Sequence, residues 1–191
     1  SYFLSRIKKN IGLYIGLTGK VLSPEEMMYF GISTHYINNE NLISVERDYI
    51  NQGLINSNNE TNKTHSELFD NIDFIEENFQ GEIHSIIRNI KKSNLDFAKK
   101  IYEHLMTRCP MSLAITTKLY NKAKKLTLKE CLEMEFQLSQ KIVYREDFNN
   151  GVEAVLVSKT NTPKWKPSSL NEIKDIDLDD LFEIHIDKLG L

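Results

Sequence analysis

The sequence has few of the residues that mark a disulfide-bonded or membrane-spanning protein. Its 191 residues include two cysteines, four prolines and one tryptophan. Cys109 and Cys131 form neither a Cys-x-x-Cys pair nor a disulfide framework, so we expect a reducing compartment. No stretch approaches the roughly 20 apolar residues that cross a bilayer, which predicts that the chain has no membrane span.

An excess of charge of one sign is also lacking. The 24 lysines and arginines stand against 27 aspartates and glutamates, and the formal net charge is -3. No basic field for the phosphates of a duplex is present, so we expect no nucleic-acid partner. The five histidines are scattered without the spacing of metal ligands, which predicts no metal site.

Motifs that cradle phosphates or activate a nucleophile are missing as well. The sequence contains no Gly-x-Gly-x-x-Gly, no Walker loop and no Gly-x-Ser-x-Gly. Glu103, His104 and Cys109 lie close together, but residues five apart on a helix do not face each other, and Pro110 should end the helix. We therefore interpret these three residues as structural.

Helical periodicity is what the sequence has in abundance. Apolar residues at steps of three and four predict an amphipathic helix that starts near Ser1 and ends at Gly19. Ser23, with Pro24 next and Glu26 three residues on, predicts the capped start of a second helix. Only "ISTHYINNENL" has strand character. We predict an all-α fold class with at most one or two very short strands.

Composition divides the chain into four stretches. Residues 1–52 and 68–160 are helical in pattern. Residues 53–67 are rich in Asn, Ser and Thr and predict a flexible loop. Residues 161–191 form a tail with proline, lysine and tryptophan and a possible final helix.

Glu135 lies on the predicted inward face of the helix that Thr127 begins. A carboxylate on such a face needs a partner, because its burial without one is costly. A general base is the catalytic interpretation, and a structural ion pair with Arg108 or Arg145 is the interpretation we favour. The remaining members of this face are Leu128, Cys131, Leu132, Phe136, Ser139, Ile142 and Val143.

The tryptophan lies in "PKWKP" near the end of the chain. Trp165 stands between Lys164 and Lys166, with a proline on the outer side of each lysine. Its large apolar area favours packing on the body while the lysines stay in solvent. We predict that Trp165 anchors the tail, and a ligand contact is the alternative.

The same tail resembles a known enzyme family. "DFNNGVEAVLVSKTNTPKWKP" is similar to the C-terminal stretch of the 3-hydroxyisobutyryl-coenzyme A hydrolases, the thioester-cleaving branch of the enoyl-CoA hydratase (crotonase) superfamily. Further segments resemble the family in the same order: "YFLSRI…GLTG", "GISTHYI", "CPMSLAIT" and "LEMEFQLSQ". The resemblance spans nearly the whole chain.

The resemblance implies the helical C-terminal part of a crotonase-like fold. The enzyme would cleave 3-hydroxyisobutyryl-CoA in valine breakdown, in the mitochondrion, without a separate cofactor because coenzyme A is part of the substrate. Its catalytic carboxylates and oxyanion hole would precede Ser1, so we expect this chain to be inactive by itself. Lys159, Lys164 and Lys166 are the residues we predict to contact the phosphates of CoA.

Two other functions stay open, an enoyl-CoA hydratase or isomerase and a non-catalytic helical interaction module. Besides an acyl-CoA, the partners implied are the missing crotonase core and a second copy in a homo-oligomer. The apolar face of the first helix should be made for such a partner, and we expect it to be exposed or covered by another copy. That face consists of Phe3, Ile7, Ile11 and Tyr14.

Overall fold

The computed structural model describes residues 1–55, 65–187 and 189. The described residues form two compact units, one of Ser1–Gly19 with Asp73–Leu191 and one of Lys20–Ile72. Residues 56–64, the centre of the loop predicted at 53–67, lie outside the described residues. The four stretches drawn from composition stay a prediction.

Helices built around one central helix make up the larger unit. They are α1 (Ile11–Thr18), α5 (Ile72–Asn78, beginning one residue before the unit), α6 (Ile83–Lys92), α7 (Asp96–Met106), α8 (Pro110–Ala123), α9 (Leu128–Ile142), α10 (Glu146–Val152) and α11 (Asp175–Asp180). A π-helical stretch, Glu153–Val157, continues α10. Helix α8 packs against α1, α6 and α11, and α7 packs against both α1 and α6.

The start of the chain is not the single helix that periodicity predicts. A short 3-10 turn, Leu4–Arg6, is separated from α1 by Lys9 and Asn10, whose φ angles are +60° and +55°. A Cβ at Gly12 would lie 1.8 Å from the carbonyl oxygen of Leu4, so the turn returns onto the helix at a position only glycine can occupy. The predicted stop at Gly19 is confirmed, with φ +67° and its N–H bonded to Ile15.

The expectation that the first apolar face is exposed was wrong for three of its four residues. Ile7 is 7% exposed, Ile11 0% and Tyr14 5%, whereas Phe3 is 54% exposed. Helices α7 and α8 pack against α1 and supply partners within the same unit. Tyr14 meets the ring edge of Phe79 at 5.3 Å between centroids.

The smaller unit begins with the predicted capping box. Its helices are α2 (Pro24–Tyr29), α3 (Leu42–Gln52) and α4 (Glu67–Asp70). The Ser23 hydroxyl accepts from the Glu26 N–H at 3.2 Å, and the Glu26 carboxylate accepts from the Ser23 N–H at 2.8 Å. Glu26 is buried and also accepts from the hydroxyl of Ser66, the cap of α4. One carboxylate therefore joins the starts of two helices.

Helix α3 has no buried residue. It is predicted from Leu42, Val45, Tyr49 and Ile50, and its bounds agree with that pattern. Leu42, Ile43, Tyr49 and Ile50 are all exposed.

The predicted fold class was wrong in allowing short strands, since the described residues contain none. The segment read as strand-like runs through bends into a 3-10 turn, Asn39–Asn41. The N–H groups of Ile32 and Ser33 donate to the carbonyl of Met27, at 2.8 and 3.2 Å. They close the end of α2 instead of pairing with another strand.

Candidate functional site

One buried carboxylate holds the tail that carries Trp165. Asp147, in the first turn of α10 and 5% exposed, accepts from Nη2 of Arg145 at 3.0 Å. Its other oxygen accepts from the backbone N–H of Lys166 at 2.6 Å. The side-chain amide of Asn150, one turn on, donates to the carbonyl of Lys164 at 2.8 Å. Helix α10 thus binds the backbone on both sides of Trp165.

Trp165 itself packs on the larger unit. Its indole Nε1–H donates to the carbonyl of Thr107 at 3.2 Å. A Cβ at Gly151 would lie 3.4 Å from the ring, so the indole rests on the backbone of α10. The apolar cluster against which the ring packs consists of Cys109, Met111, Ile115, Leu138 and Leu181. These contacts lie within the chain, and the anchoring role stays a prediction that substitution can test.

A cavity of about 380 Å³ opens beside the tryptophan. Arg145 and Asp147 supply its charged groups, and the Nε of Arg145 has no hydrogen-bond partner among the described residues. Most of the remaining lining is apolar, including Met111, Ile115, Val152, Val155 and Leu156. A cavity of this kind suits a mainly apolar group with one polar end.

The three lysines predicted to contact CoA follow α10 and flank Trp165. Lys166 lies 3.1 Å from the carboxylate of Glu146. Lys159 and Lys164 are exposed and form no ion pair with any residue that the structure describes. Their amino groups are free to bind an anion, and the CoA contact stays a prediction.

The expected ion pair of Glu135 was wrong. Arg108 contacts His104 Nδ1 at 3.3 Å and Arg145 contacts Asp147, whereas Glu135 accepts from the amino nitrogen of Ser1.

The buried face of α9 also differs from the predicted one. Cys131, Gln137 and Leu138 are buried, while Leu128, Leu132 and Val143 are exposed. The face is therefore rotated around the helix relative to the one expected, because α9 packs against the apolar cluster through Leu138.

Sequence reasoning missed Gln137, Arg145 and Asp147 as binding groups. The Gln137 carbonyl oxygen accepts from the N–H groups of His185 and Ile186, both at 3.2 Å, and its amide donates to Ile186 at 3.0 Å. The position of Gln137 next to the buried Leu138 is the sequence signal that could have indicated its binding role. Asp147 was recognised only as part of the family-like "DF" segment.

The three residues His104, Cys109 and Glu103 do not form a catalytic group. His104 Nε2–H donates to the carbonyl of Thr18 at 2.7 Å, and Nδ1 accepts from Arg108. Cys109 lies in the apolar cluster. Within the described ranges, no group of three or more His, Cys, Asp or Glu side chains could hold a metal ion.

No helix in the part of the chain that is described has both the length and the apolar character to cross a membrane.

Known proteins resemble the chain over nearly all its length. Residues 1–182 match the profile of the enoyl-CoA hydratase/isomerase family. The mitochondrial 3-hydroxyisobutyryl-CoA hydrolase of Xenopus laevis is 34% identical over 195 residues, which cover 95% of this chain and 51% of that protein. The hydrolase of the same name from Dictyostelium discoideum is 33% identical over 186 residues, covering 91% and 49%.

A solved structure agrees with these sequence matches. A carnitinyl-CoA dehydratase from Mycobacterium thermoresistibile superposes with a TM-score of 0.87 and 26% identity, covering 99% of this chain and 56% of that one. The chain spans about half the length of the curated relatives it matches. The predicted helical class agrees with the described residues, which contain no strand. The resemblance predicted from the sequence is confirmed, and the chain belongs to the enoyl-CoA hydratase/isomerase family.

Proposed function

We propose that this chain is part of an acyl-CoA thioester hydrolase that converts 3-hydroxyisobutyryl-CoA and water to 3-hydroxyisobutyrate and CoA. The observation that carries the proposal is the 34% identity with the Xenopus laevis hydrolase over 95% of this chain. The reaction belongs to valine breakdown, and we place it in the mitochondrion by analogy with the relatives' names.

We infer that the groups that perform the chemistry lie outside these residues. A general base needs a free lone pair directed at the reacting group. The buried carboxylates described here are already bound, Asp147 by Arg145 and Lys166 and Glu26 by Ser23 and Ser66. Because these carboxylates are already hydrogen-bonded, we assign the chain a non-catalytic role. The acid, the base and the oxyanion donors would come from the part of the relatives' length that this chain does not span.

The contribution of this chain to the reaction is substrate binding. Asp147 fixes the backbone at Lys166, and Trp165 fixes the tail on the body. Lys159 and Lys164 then present ammonium groups without an internal partner, which suit the pyrophosphate or the 3′-phosphate of CoA. Because CoA enters as part of the substrate, no further cofactor is needed.

Release of free thiol from 3-hydroxyisobutyryl-CoA tests the proposal. We expect thiol release by the full-length protein that contains this chain and none by residues 1–191 alone. Crotonyl-CoA is the matched substrate, since a hydratase consumes its double bond without releasing thiol. Full-length protein that hydrates crotonyl-CoA and releases no thiol would overturn the hydrolase assignment.

Hydration of an enoyl-CoA is the second candidate function. The superposition on a carnitinyl-CoA dehydratase, with a TM-score of 0.87, favours it. Loss of absorbance of the conjugated thioester measures this reaction directly. Full-length protein without either activity would favour the helical interaction module.

A further inference from the structure

A second cavity, of about 460 Å³, combines serine hydroxyls with positive charge. It lies between α6, α7, the start of α8 and residues 168–171, and Ser168 and Ser169 of the tail line it. No Asp or Glu is among its described lining residues. The cations that line it are Arg88, Lys91, Lys92 and Arg108.

None of these four cations forms an ion pair with a carboxylate of the described chain. Arg88 donates to the Ser85 hydroxyl at 3.2 Å, and Lys91 lies 5.7 Å from the ring centroid of Tyr102. Arg108 contacts the imidazole of His104. The four side chains are exposed, so they are accessible to an anion brought to the cavity.

The charges also repel each other along α6. Arg88 precedes Lys91 by three residues and Lys92 by four, which places all three on neighbouring parts of one helix. Like charges at this spacing destabilise a helix. A negative charge at the cavity would relieve the repulsion and accept charge-assisted hydrogen bonds.

The two serines are at present bound to a carboxylate instead of the cations. The Ser168 hydroxyl and N–H donate to the two oxygens of Glu172, at 2.7 and 3.0 Å, and the Ser169 hydroxyl donates at 3.1 Å. These hydrogen bonds lower the pKa of Glu172 below its usual value. An uncharged serine can make this contact, because its hydroxyl still carries a proton to donate.

Ser168 is the more accessible of the two serines. Its side chain is exposed, and residues 158–169 contain neither helix nor strand. Ser169 is half-buried and caps the 3-10 turn Leu170–Glu172. Two exposed lysines, Lys164 and Lys166, precede Ser168 by four and two residues, and charge patterns around a hydroxyl are one means by which kinases select substrates.

We propose that Ser168 is phosphorylated by a protein serine kinase and that the phosphate then binds the cations of the cavity. In the transfer, Oγ of Ser168 attacks the γ-phosphorus of ATP, and the catalytic Asp of the kinase takes the hydroxyl proton. The bond between the γ-phosphorus and the bridging oxygen breaks, and ADP leaves. The serine thereby gains close to two negative charges and three acceptor oxygens.

Phosphorylation changes the partner of the tail. The esterified oxygen has no proton to donate to Glu172, and the phosphate and this carboxylate repel each other. Arg88, Lys92 and Arg108 attract the phosphate and donate hydrogen bonds to it. The tail, which Asp147 already holds at Lys166, is then also tied to α6. The proposal does not rest on the hydrolase assignment, because its tests use no thioester.

Mass spectrometry of the full-length protein tests the modification itself. The protein is purified from its own cells in the presence of phosphatase inhibitors, and the peptide that contains Ser168 is sequenced. We expect a phosphate on Ser168. A peptide that carries no phosphate, or carries it on Ser169 alone, overturns the proposal.

Phosphorus NMR tests the binding of the phosphate to the cations. Full-length protein with phosphoserine encoded at position 168 is titrated, and the second pKa of the phosphate, near 6 in the free group, is measured. We expect it to lie at least about 0.5 below the value in the same protein unfolded in urea, because nearby cations favour the dianion. The unfolded chain retains the local charges of Lys164, Lys166 and Glu172, so the difference reports the folded cavity.

Substitution of the cations identifies the source of the shift. Arg88→Ala/Lys92→Ala should remove roughly half of it or more, since two of the four positive charges are lost. Glu172, which opposes the shift, and His84, which adds to it when protonated, are present in both proteins.

The matched control is Lys8→Ala/Arg47→Ala, which removes one exposed lysine and one exposed arginine that do not line the cavity. It should leave the phosphate pKa unchanged. Circular dichroism verifies that each variant is folded, and Arg108→Ala replaces the double variant if that one is not. A phosphate pKa that is equal in folded and unfolded protein, or that loss of the cations does not raise, overturns the proposal.

Discussion

Asp147 accepts the backbone N–H of Lys166 at 2.6 Å, across 19 residues of sequence. The same carboxylate binds Arg145, so one side chain connects the first turn of α10 to the tail and to a neighbouring cation. Both oxygens are engaged and the group is buried. Asp147 is therefore one of the groups that fix the position of the tail, together with Asn150 and Trp165.

Replacement of that charge should destabilise the chain. For Asp147→Asn we expect a loss of about 2–3 kcal/mol in the free energy of unfolding. This is less than the loss of a fully buried ion pair would cost, because the Arg145 side chain is partly exposed to solvent. Urea denaturation measures it. Asp187→Asn, at an exposed site, is the matched control and should change little. Equal effects of the two changes would contradict the role of Asp147.

Removal of the indole should release the tail. Trp165→Ala loses the packing on the apolar cluster and the bond to Thr107, at a cost of about 2–3 kcal/mol for a partly buried ring. Limited digestion with trypsin should then cut after Lys159 and Lys164 faster than in the parent chain. Trp165→Phe keeps most of the apolar area and should be cut at an intermediate rate. Equal rates in all three proteins would show that Trp165 does not anchor the tail.

A methyl group at Gly12 should be much worse tolerated than one at Gly16. Both glycines lie in α1, but a Cβ at Gly12 would come within 1.8 Å of the Leu4 carbonyl oxygen. At Gly16 the nearest atom is a methyl of Thr116, at 3.3 Å. We expect Gly12→Ala to cost about 2 kcal/mol or more, from forced displacement of backbone, and Gly16→Ala to cost less than half of that. Thermal unfolding of the two variants measures the difference. Equal melting temperatures would contradict the prediction.

Stability should fall in acid partly through Glu130. Hydrogen bonds from the backbone and the hydroxyl of Thr127 lower the pKa of Glu130 below its usual value of 4.5. A lowered pKa in the folded chain means that the stabilisation is complete above the unfolded value and is lost as the pH falls through the folded one. We expect Glu130→Gln to lower the free energy of unfolding at pH 7. The difference in unfolding free energy between the variant and the parent chain should become smaller as the pH drops below 4.5. A difference that stays constant down to low pH would contradict this.

Loss of the free lysines should weaken substrate binding in the full-length protein. For Lys159→Ala/Lys164→Ala we expect KM for 3-hydroxyisobutyryl-CoA to rise about tenfold with little change in kcat, because phosphate contacts are the same in substrate and transition state. Lys8→Ala/Lys125→Ala removes two exposed lysines elsewhere and serves as the control. An unchanged KM would show that Lys159 and Lys164 do not bind the substrate.

Local structure was predictable wherever the deciding contacts lie a few residues apart. Ser23 with Glu26 and Thr127 with Glu130 form the capping boxes that their spacing predicts, and Gly19 ends α1 in the left-handed conformation. Each of these features depends on hydrogen bonds between near neighbours, which a single sequence displays directly.

Tertiary contacts decided what periodicity could not. The sequence by itself determined that the chain is built of helices, where several begin and end, and which family it resembles. Only the folded chain decided which side of α9 is buried, that Ile7 and Ile11 lie inside the unit, and that Asp147 binds Lys166. The reason is physical: these choices depend on groups far apart in sequence, whose approach is set by packing and by the need of a buried charge for a partner.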